Sequence, residues 1–146
     1  MKILVSACLL GENCKYNGGN NRSEAILRFL EGHEVIGVCP EVLGGLPIPR
    51  IPSEILNGVV TNREGVSVDR NFRDGAARAL EIALENRVDM AILQSRSPSC
   101  GVNEIYDGTF SGTKIPGHGV FAQMLIDAGI RVIDSDDMSV DYSSLL

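Results

Sequence analysis

Ile3-Leu4-Val5-Ser6-Ala7-Cys8 is the stretch that decides the fold. Three apolar residues in succession, without the polar alternation of a half-exposed strand, indicate a short strand buried on both faces. Such strands belong to parallel sheets covered by helices. The run ends in small residues and breaks at Gly11. Outward from it, Val35-Ile36-Gly37-Val38 and Met90-Ala91-Ile92-Leu93 have the same character, and Ile130 to Ile133 supplies a fourth strand.

Helical patterns separate these runs. Asn21 and Glu24 are spaced for a reciprocal cap, and Ala25, Ile26, Phe29 and Leu30 share one face of a helix expected from about Arg22 to Glu31. Asp69 caps a longer helix through about Asn86, with Phe72, Ala76, Ala79, Leu80 and Ala83 as its buried stripe. Val120, Met124, Leu125 and Ala128 mark the inner face of a last helix that follows Gly119 and runs through Asp127. The alternation predicts an α/β fold: a small Rossmann-like or flavodoxin-like parallel sheet of about four strands, in the order 2-1-3-4. Ile55 to Val60 and Val66 to Val68 are expected to add a hairpin turning through Asn62 to Gly65. Glu41 to Pro52, rich in Gly and Pro around Arg50, reads as a fixed irregular loop, and the acidic segment after Asp134 as peripheral.

The chain has 146 residues, 44% of them hydrophobic and 22% charged, which suits one domain over residues 1–146. A net charge of -6 offers nucleic acid no cationic surface and favours a small-molecule partner. No run approaches the roughly 18 apolar residues of a membrane span. Val5 to Cys8 has the small-residue look of a lipidated cysteine site, but too few apolar residues precede it for a secretory signal. The expected compartment is therefore the cytoplasm. There, four cysteines point to metal ligands, catalytic thiols or buried fillers rather than disulfides.

Cys8 follows the first strand, Cys39 the second, and Cys100 lies in the loop after the third. In the predicted topology all three reach the carboxyl edge of the sheet, where open α/β folds bind ligands. Their thiolates suit zinc, copper or an iron-sulfur cluster, and the absence of a Cys-x-x-Cys pair argues against a zinc ribbon. Three ligands on a cubane leave one iron open to a substrate; a fourth closes it. Cys14 can be that fourth ligand, a neighbouring thiol or a plain loop residue. Glu41, Ser97 and Ser99 stand in the same loops, with Glu41 a candidate for proton transfer and Ser97 for hydrogen bonding to the reacting group. Arg50, Ser99, Tyr106 and His118 are candidates for substrate contact, although an Arg50–Glu54 pair pinning the proline-rich loop explains Arg50 equally well.

With Ser6-Ala7-Cys8-Leu9-Leu10-Gly11, Cys39-Pro40-Glu41, Gly44-Gly45-Leu46-Pro47, Pro49-Arg50, Ser97-Pro98-Ser99-Cys100-Gly101 and Tyr106-Asp107-Gly108-Thr109-Phe110, the sequence resembles the thiouracil desulfurase family. The resemblance implies a 4Fe-4S cluster, prone to loss in air, on Cys8, Cys39 and Cys100 with the fourth iron free. It also implies catalytic roles for Glu41 and Ser97, a thiolated pyrimidine as substrate, and iron-sulfur assembly machinery as a partner. Gln94 departs from the lysine expected in many relatives. The competing expectation is a metal-binding or redox protein whose four cysteines close a cluster or zinc site.

Overall fold

A computed structural model describes residues 1–139. In chain order its elements are β1 (Lys2–Ser6), α1 (Glu24–Leu30), β2 (Glu34–Val38), α2 (Pro40–Leu43), β3 (Ser53–Leu56), β4 (Val59–Asn62), α3 (Asp69–Glu85), β5 (Met90–Leu93), β6 (Glu104–Tyr106), β7 (Lys114–Pro116), α4 (Val120–Asp127) and β8 (Arg131–Asp134). Single turns of 3-10 helix follow β1, at Ala7–Leu10, and β8, at Ser135–Ser139.

The parallel sheet has the order β2-β1-β5-β8, with Ile3 opposite Val35 on one side and Met90 on the other. This is the expected order, counted over the four parallel strands. Its two inner strands are apolar over Ile3–Val5 and Met90–Leu93 because both faces are covered. Ile3, Val5, Met90 and Ile92 pack under α1 with Ile26, Phe29 and Leu30. Leu4, Ala91 and Leu93 point the opposite way, into a cluster with Phe72, Ala76, Ala79, Phe121 and Leu125 from α3 and α4. Each fully buried large side chain contributes roughly 1.5–3 kcal/mol.

Two close approaches hold the sheet's carboxyl edge. At the first, α2 lies so near α3 that a Cβ on Gly75 would come within 1.8 Å of the Pro40 carbonyl oxygen, and one on Gly44 within 2.0 Å of the Asn71 carbonyl oxygen. Only glycine fits either position, and Asn71 Nδ2 fastens the contact by donating to the Gly44 carbonyl at 2.9 Å. At the second, the first amides of α4 are satisfied by the loop after β5. Gly119 donates to Gly101, Val120 to Pro98, and Phe121 and Ala122 to Ser99. The orphan N–H groups of a helix start are thus spent on carbonyls of the segment that carries Cys100.

Several sequence expectations change. Helix α1 is capped by Ser23, whose hydroxyl accepts from Ile26 N, and starts at Glu24 rather than Arg22. The chain turns twice here: at Asn57-Gly58, both with positive φ, which joins β3 to β4, and at the expected Asn62–Gly65, where Gly65 N donates to the Asn62 carbonyl and Val66–Val68 returns along β4 through the Thr61–Ser67 bridge. Asn-Gly is the pair favoured by a tight two-residue turn. Pro40–Leu43, expected as irregular loop, is a helical turn with proline at its start, where a missing N–H costs nothing. The antiparallel pair β6–β7 had no counterpart in the sequence reading. The segment after Asp134 is not merely peripheral: Met138 is buried in the α1-side core. The remainder of that tail, residues 140–146, lies outside the described residues. Among the described residues no helix is long and apolar enough to cross a membrane.

Candidate active site

Cys8 sits in the 3-10 turn after β1, Cys39 in an extended link between β2 and α2, and Cys100 in the loop gripped by α4. One cavity of about 70 Å³ is lined by all three, together with Cys14, Glu41, Arg50, Ser97, Ser99, Gln94 and Lys15. All four cysteines are free thiols.

The thiols differ in environment. Burial pushes Cys100 up to about 12, against hydrogen bonds from the Ser6 and Ser99 hydroxyls. Burial likewise raises Cys8, against the amide of Asn21, whose Nδ2 lies 3.5 Å from its sulfur. Cys39 goes the other way, to about 7, because the Cys14 thiol hydrogen-bonds to it strongly enough to outweigh burial. Cys14 is correspondingly raised by the same bond. Thiolates in such a place need a cationic centre beside them, which is the condition for metal binding. No group of three or more His, Cys, Asp or Glu among the described residues is disposed to hold a single metal ion. The donors Cys8, Cys39 and Cys100 instead surround a cavity, an arrangement that fits a polynuclear soft-metal cluster.

Beside the thiols runs a directed hydrogen-bond chain. Ser97 Oγ accepts the N–H groups of Ser99 at 3.1 Å and Cys100 at 3.0 Å, which uses both its lone pairs. Its own proton must therefore go to Ser99 Oγ, 2.9 Å away. Ser99 Oγ in turn donates to Glu41 Oε2 at 2.9 Å, a stronger contact than its 3.6 Å approach to the Cys100 sulfur. The other carboxylate oxygen, Oε1, receives Arg50 Nε at 3.0 Å. Arg50 also donates from Nη2 to the Cys14 carbonyl at 2.9 Å and from Nη1 to the Pro47 carbonyl at 3.3 Å. The side chains of Arg50 and Glu41 are 7% and 16% exposed, so this ion pair is largely withdrawn from water.

Of the residues singled out in the sequence, the structure brings together Cys8, Cys39, Cys100, Glu41, Ser97, Ser99 and Arg50. It does not bring Tyr106 or His118 to this cavity. Tyr106 lies on β6 beside Arg96 and Glu54, and the exposed His118 turns Nδ1 to the Val102 carbonyl. The suggested Arg50–Glu54 pair is replaced by Arg50–Glu41, while Glu54 Oε1 accepts Gly108 N and Phe110 N. Sequence reasoning missed Ser6 and Lys15. Ser6, a polar residue ending an apolar strand, accepts Gln94 N at 3.0 Å and hydrogen-bonds Cys100. Lys15 carried no signal beyond adjacency to Cys14.

Fold and site define a parallel α/β domain whose strand ends present three thiols and an arginine-held carboxylate to one cavity. The family model for 2-thiouracil desulfurase matches residues 3–137, and the chain belongs to that family. It is 41% identical, over 147 aligned positions, to the uncharacterized protein YbbK of Bacillus subtilis (strain 168), covering 94% of this chain and 97% of that one. A solved structure described as the 4Fe-4S-dependent thiouracil desulfidase TudS superposes with a TM-score of 0.88 at 39% identity, over 94% of this chain and 93% of the other.

Proposed function

We propose that this protein is an iron-sulfur-dependent thiouracil desulfidase, which replaces the sulfur of a thiolated pyrimidine by oxygen from water and releases hydrosulfide. The observation that carries this reading is the meeting of Cys8, Cys39 and Cys100 around one cavity with Glu41 held at its side. Those three cysteines would hold a 4Fe-4S cluster, which when bound would supply soft Lewis-acid chemistry matched to a thiocarbonyl sulfur.

The chain's own groups handle the protons. Glu41 takes a proton from the attacking water, as a carboxylate placed at the cavity wall can. Arg50 fixes one of its oxygens and Ser99 the other, so the carboxylate meets its partner without first reorienting. Ser97 both ties down the turn before Cys100 and orients the Ser99 hydroxyl. The water oxygen ends on the ring carbon and sulfur leaves with its bonding electrons, so no oxidant or reductant is consumed. Loading the cofactor makes iron-sulfur assembly machinery a partner, and the reducing cytoplasm suits four free thiols. The net charge of -6 favours a small substrate over nucleic acid.

The test is anaerobic reconstitution of the full chain followed by incubation with 2-thiouracil and 4-thiouracil. The expected result is a brown protein that releases sulfide as the thiocarbonyl absorbance falls. A fully loaded protein that leaves both compounds intact would remove the reading.

A further inference from the structure

We propose that Cys14 and Cys39 are a redox modification site: in the cluster-free protein they close reversibly into a disulfide, which withdraws Cys39 from cofactor binding. The proposal rests on Cys39 being a cluster ligand.

The geometry is specific to this pair. Cys14 is 7% exposed, Cys39 Sγ donates to the Cys14 carbonyl oxygen at 3.8 Å, and the two residues line the same two cavities. The segment is held in place: Cys14 N donates to Glu12 O at 2.9 Å, and Arg50 Nη2 grips the Cys14 carbonyl. The other two thiols have non-thiol partners, Asn21 for Cys8 and the Ser6 and Ser99 hydroxyls for Cys100.

Access also singles out the pair. A second cavity, of about 360 Å³, has Cys14 and Cys39 on its wall but neither Cys8 nor Cys100. Its rim includes the exposed residues Glu12, Asn13 and Ile48, so it gives a small oxidant a way to the pair through a cavity that neither Cys8 nor Cys100 lines.

Hydrogen peroxide is the oxidant class that balances the step. The Cys39 sulfur attacks one peroxide oxygen, the O–O bond breaks, and Cys39 becomes a sulfenic acid as the first water leaves. The Cys14 sulfur then attacks the Cys39 sulfur, the S–O bond breaks, and the second water leaves with the Cys14 proton. Two thiols lose two electrons and two protons, and peroxide gains both. A dithiol reverses the link by exchange. With the cofactor in place the Cys39 sulfur is occupied and the link cannot form. The pair therefore stops an emptied pocket from oxidising irreversibly.

The experiment treats the full-length, cluster-free chain with one equivalent of hydrogen peroxide, blocks remaining thiols by alkylation, and digests it without reductant for mass spectrometry. The expected result is loss of two of the four thiols, with a Cys14–Cys39 linked peptide as the main product. Dithiothreitol should then restore all four thiols and cluster uptake, read as visible absorbance. In Cys14→Ser given a second equivalent of peroxide, which takes the Cys39 sulfenic acid on to sulfinic acid with loss of another water, dithiothreitol should recover less than a tenth of the uptake, whereas wild type given the same dose should recover in full. A main link from Cys39 to Cys8 or Cys100, or equal recovery in Cys14→Ser, would overturn the proposal. Alkylation of the cluster-loaded protein tests the ligand reading separately: Cys14 should react while Cys8, Cys39 and Cys100 are shielded.

Discussion

Ser99 Oγ donates to Glu41 Oε2 across 2.9 Å, joining residues 58 positions apart and linking the loop of one cysteine to the helix that follows another. Because Ser97 has both lone pairs filled by backbone N–H groups, the chain of protons can run only from Ser97 to Ser99 to Glu41. Replacing either serine therefore has a different effect. Ser99→Ala should keep the cluster and lower kcat about 10- to 100-fold with KM little changed, consistent with loss of one oriented proton-transfer contact. Ser97→Ala leaves two turn N–H groups unpaired and should cost about 1–3 kcal/mol of stability. Steady-state kinetics and urea unfolding, done side by side, separate the two.

Removing Arg50 strands a carboxylate in a place with little water. Arg50→Ala should destabilise the fold by about 3–5 kcal/mol, whereas Glu41→Gln, which keeps a neutral acceptor, should lose much less stability and nearly all turnover. Equal stability losses in the two variants, measured by chemical denaturation, would contradict this account of the pair.

At Gly75 the argument is steric. Gly75→Ala puts a methyl group against the Pro40 carbonyl, so α2 must shift and carry Cys39 and Glu41 with it. The expected cost is about 1–3 kcal/mol, accompanied by weaker cluster uptake on titration with iron and sulfide. Wild-type uptake in a destabilised Gly75→Ala protein would show that the α2–α3 contact does not set the site.

Cys14→Ser should retain the visible absorbance of the loaded protein and its turnover. Serine at Cys8, Cys39 or Cys100 should abolish both. A colourless Cys14→Ser protein would make Cys14 a ligand and close the iron that the mechanism needs open.

Asp69 offers a pH test away from the thiols. Partial burial opposes its ionisation, but Arg73 Nε at 2.7 Å and the Val60 N–H at 3.0 Å prevail and hold its pKa below the ordinary value. A depressed carboxyl contributes stability above its unfolded pKa of about 3.9 and loses it as pH falls through the folded value. Arg73 is half exposed, so the contribution is at most about 1 kcal/mol. Asp69→Asn should therefore be less stable than wild type at neutral pH, with the gap closing as the pH falls through the lowered folded value. A constant gap across thermal melts from neutral to acid pH would exclude this assignment.

The inner strands were readable because burial on both faces leaves an unbroken apolar run, as at Ile3 to Val5 and Met90 to Leu93. Once their order is known, the topology alone carries Cys8, Cys39 and Cys100 to one edge. Asn57-Gly58 is hard to see as a turn because it lies inside an apolar stretch that looks like a single strand. Pro40 was read as stopping β2, which it does, but it also begins α2, and one residue serving both purposes hides the helix. The partners of Arg50 and the placement of His118 depend on side-chain directions fixed by packing between distant segments. No local pattern encodes them.

A chain that ends just after Cys100 holds all three cysteines proposed as ligands, Cys8, Cys39 and Cys100. It does not yet carry the amide hydrogens of Gly119 to Ala122, which hold the loop around that last sulfur. Loss of the start of α4 would therefore leave that loop without its amide partners even though the cysteine itself is kept.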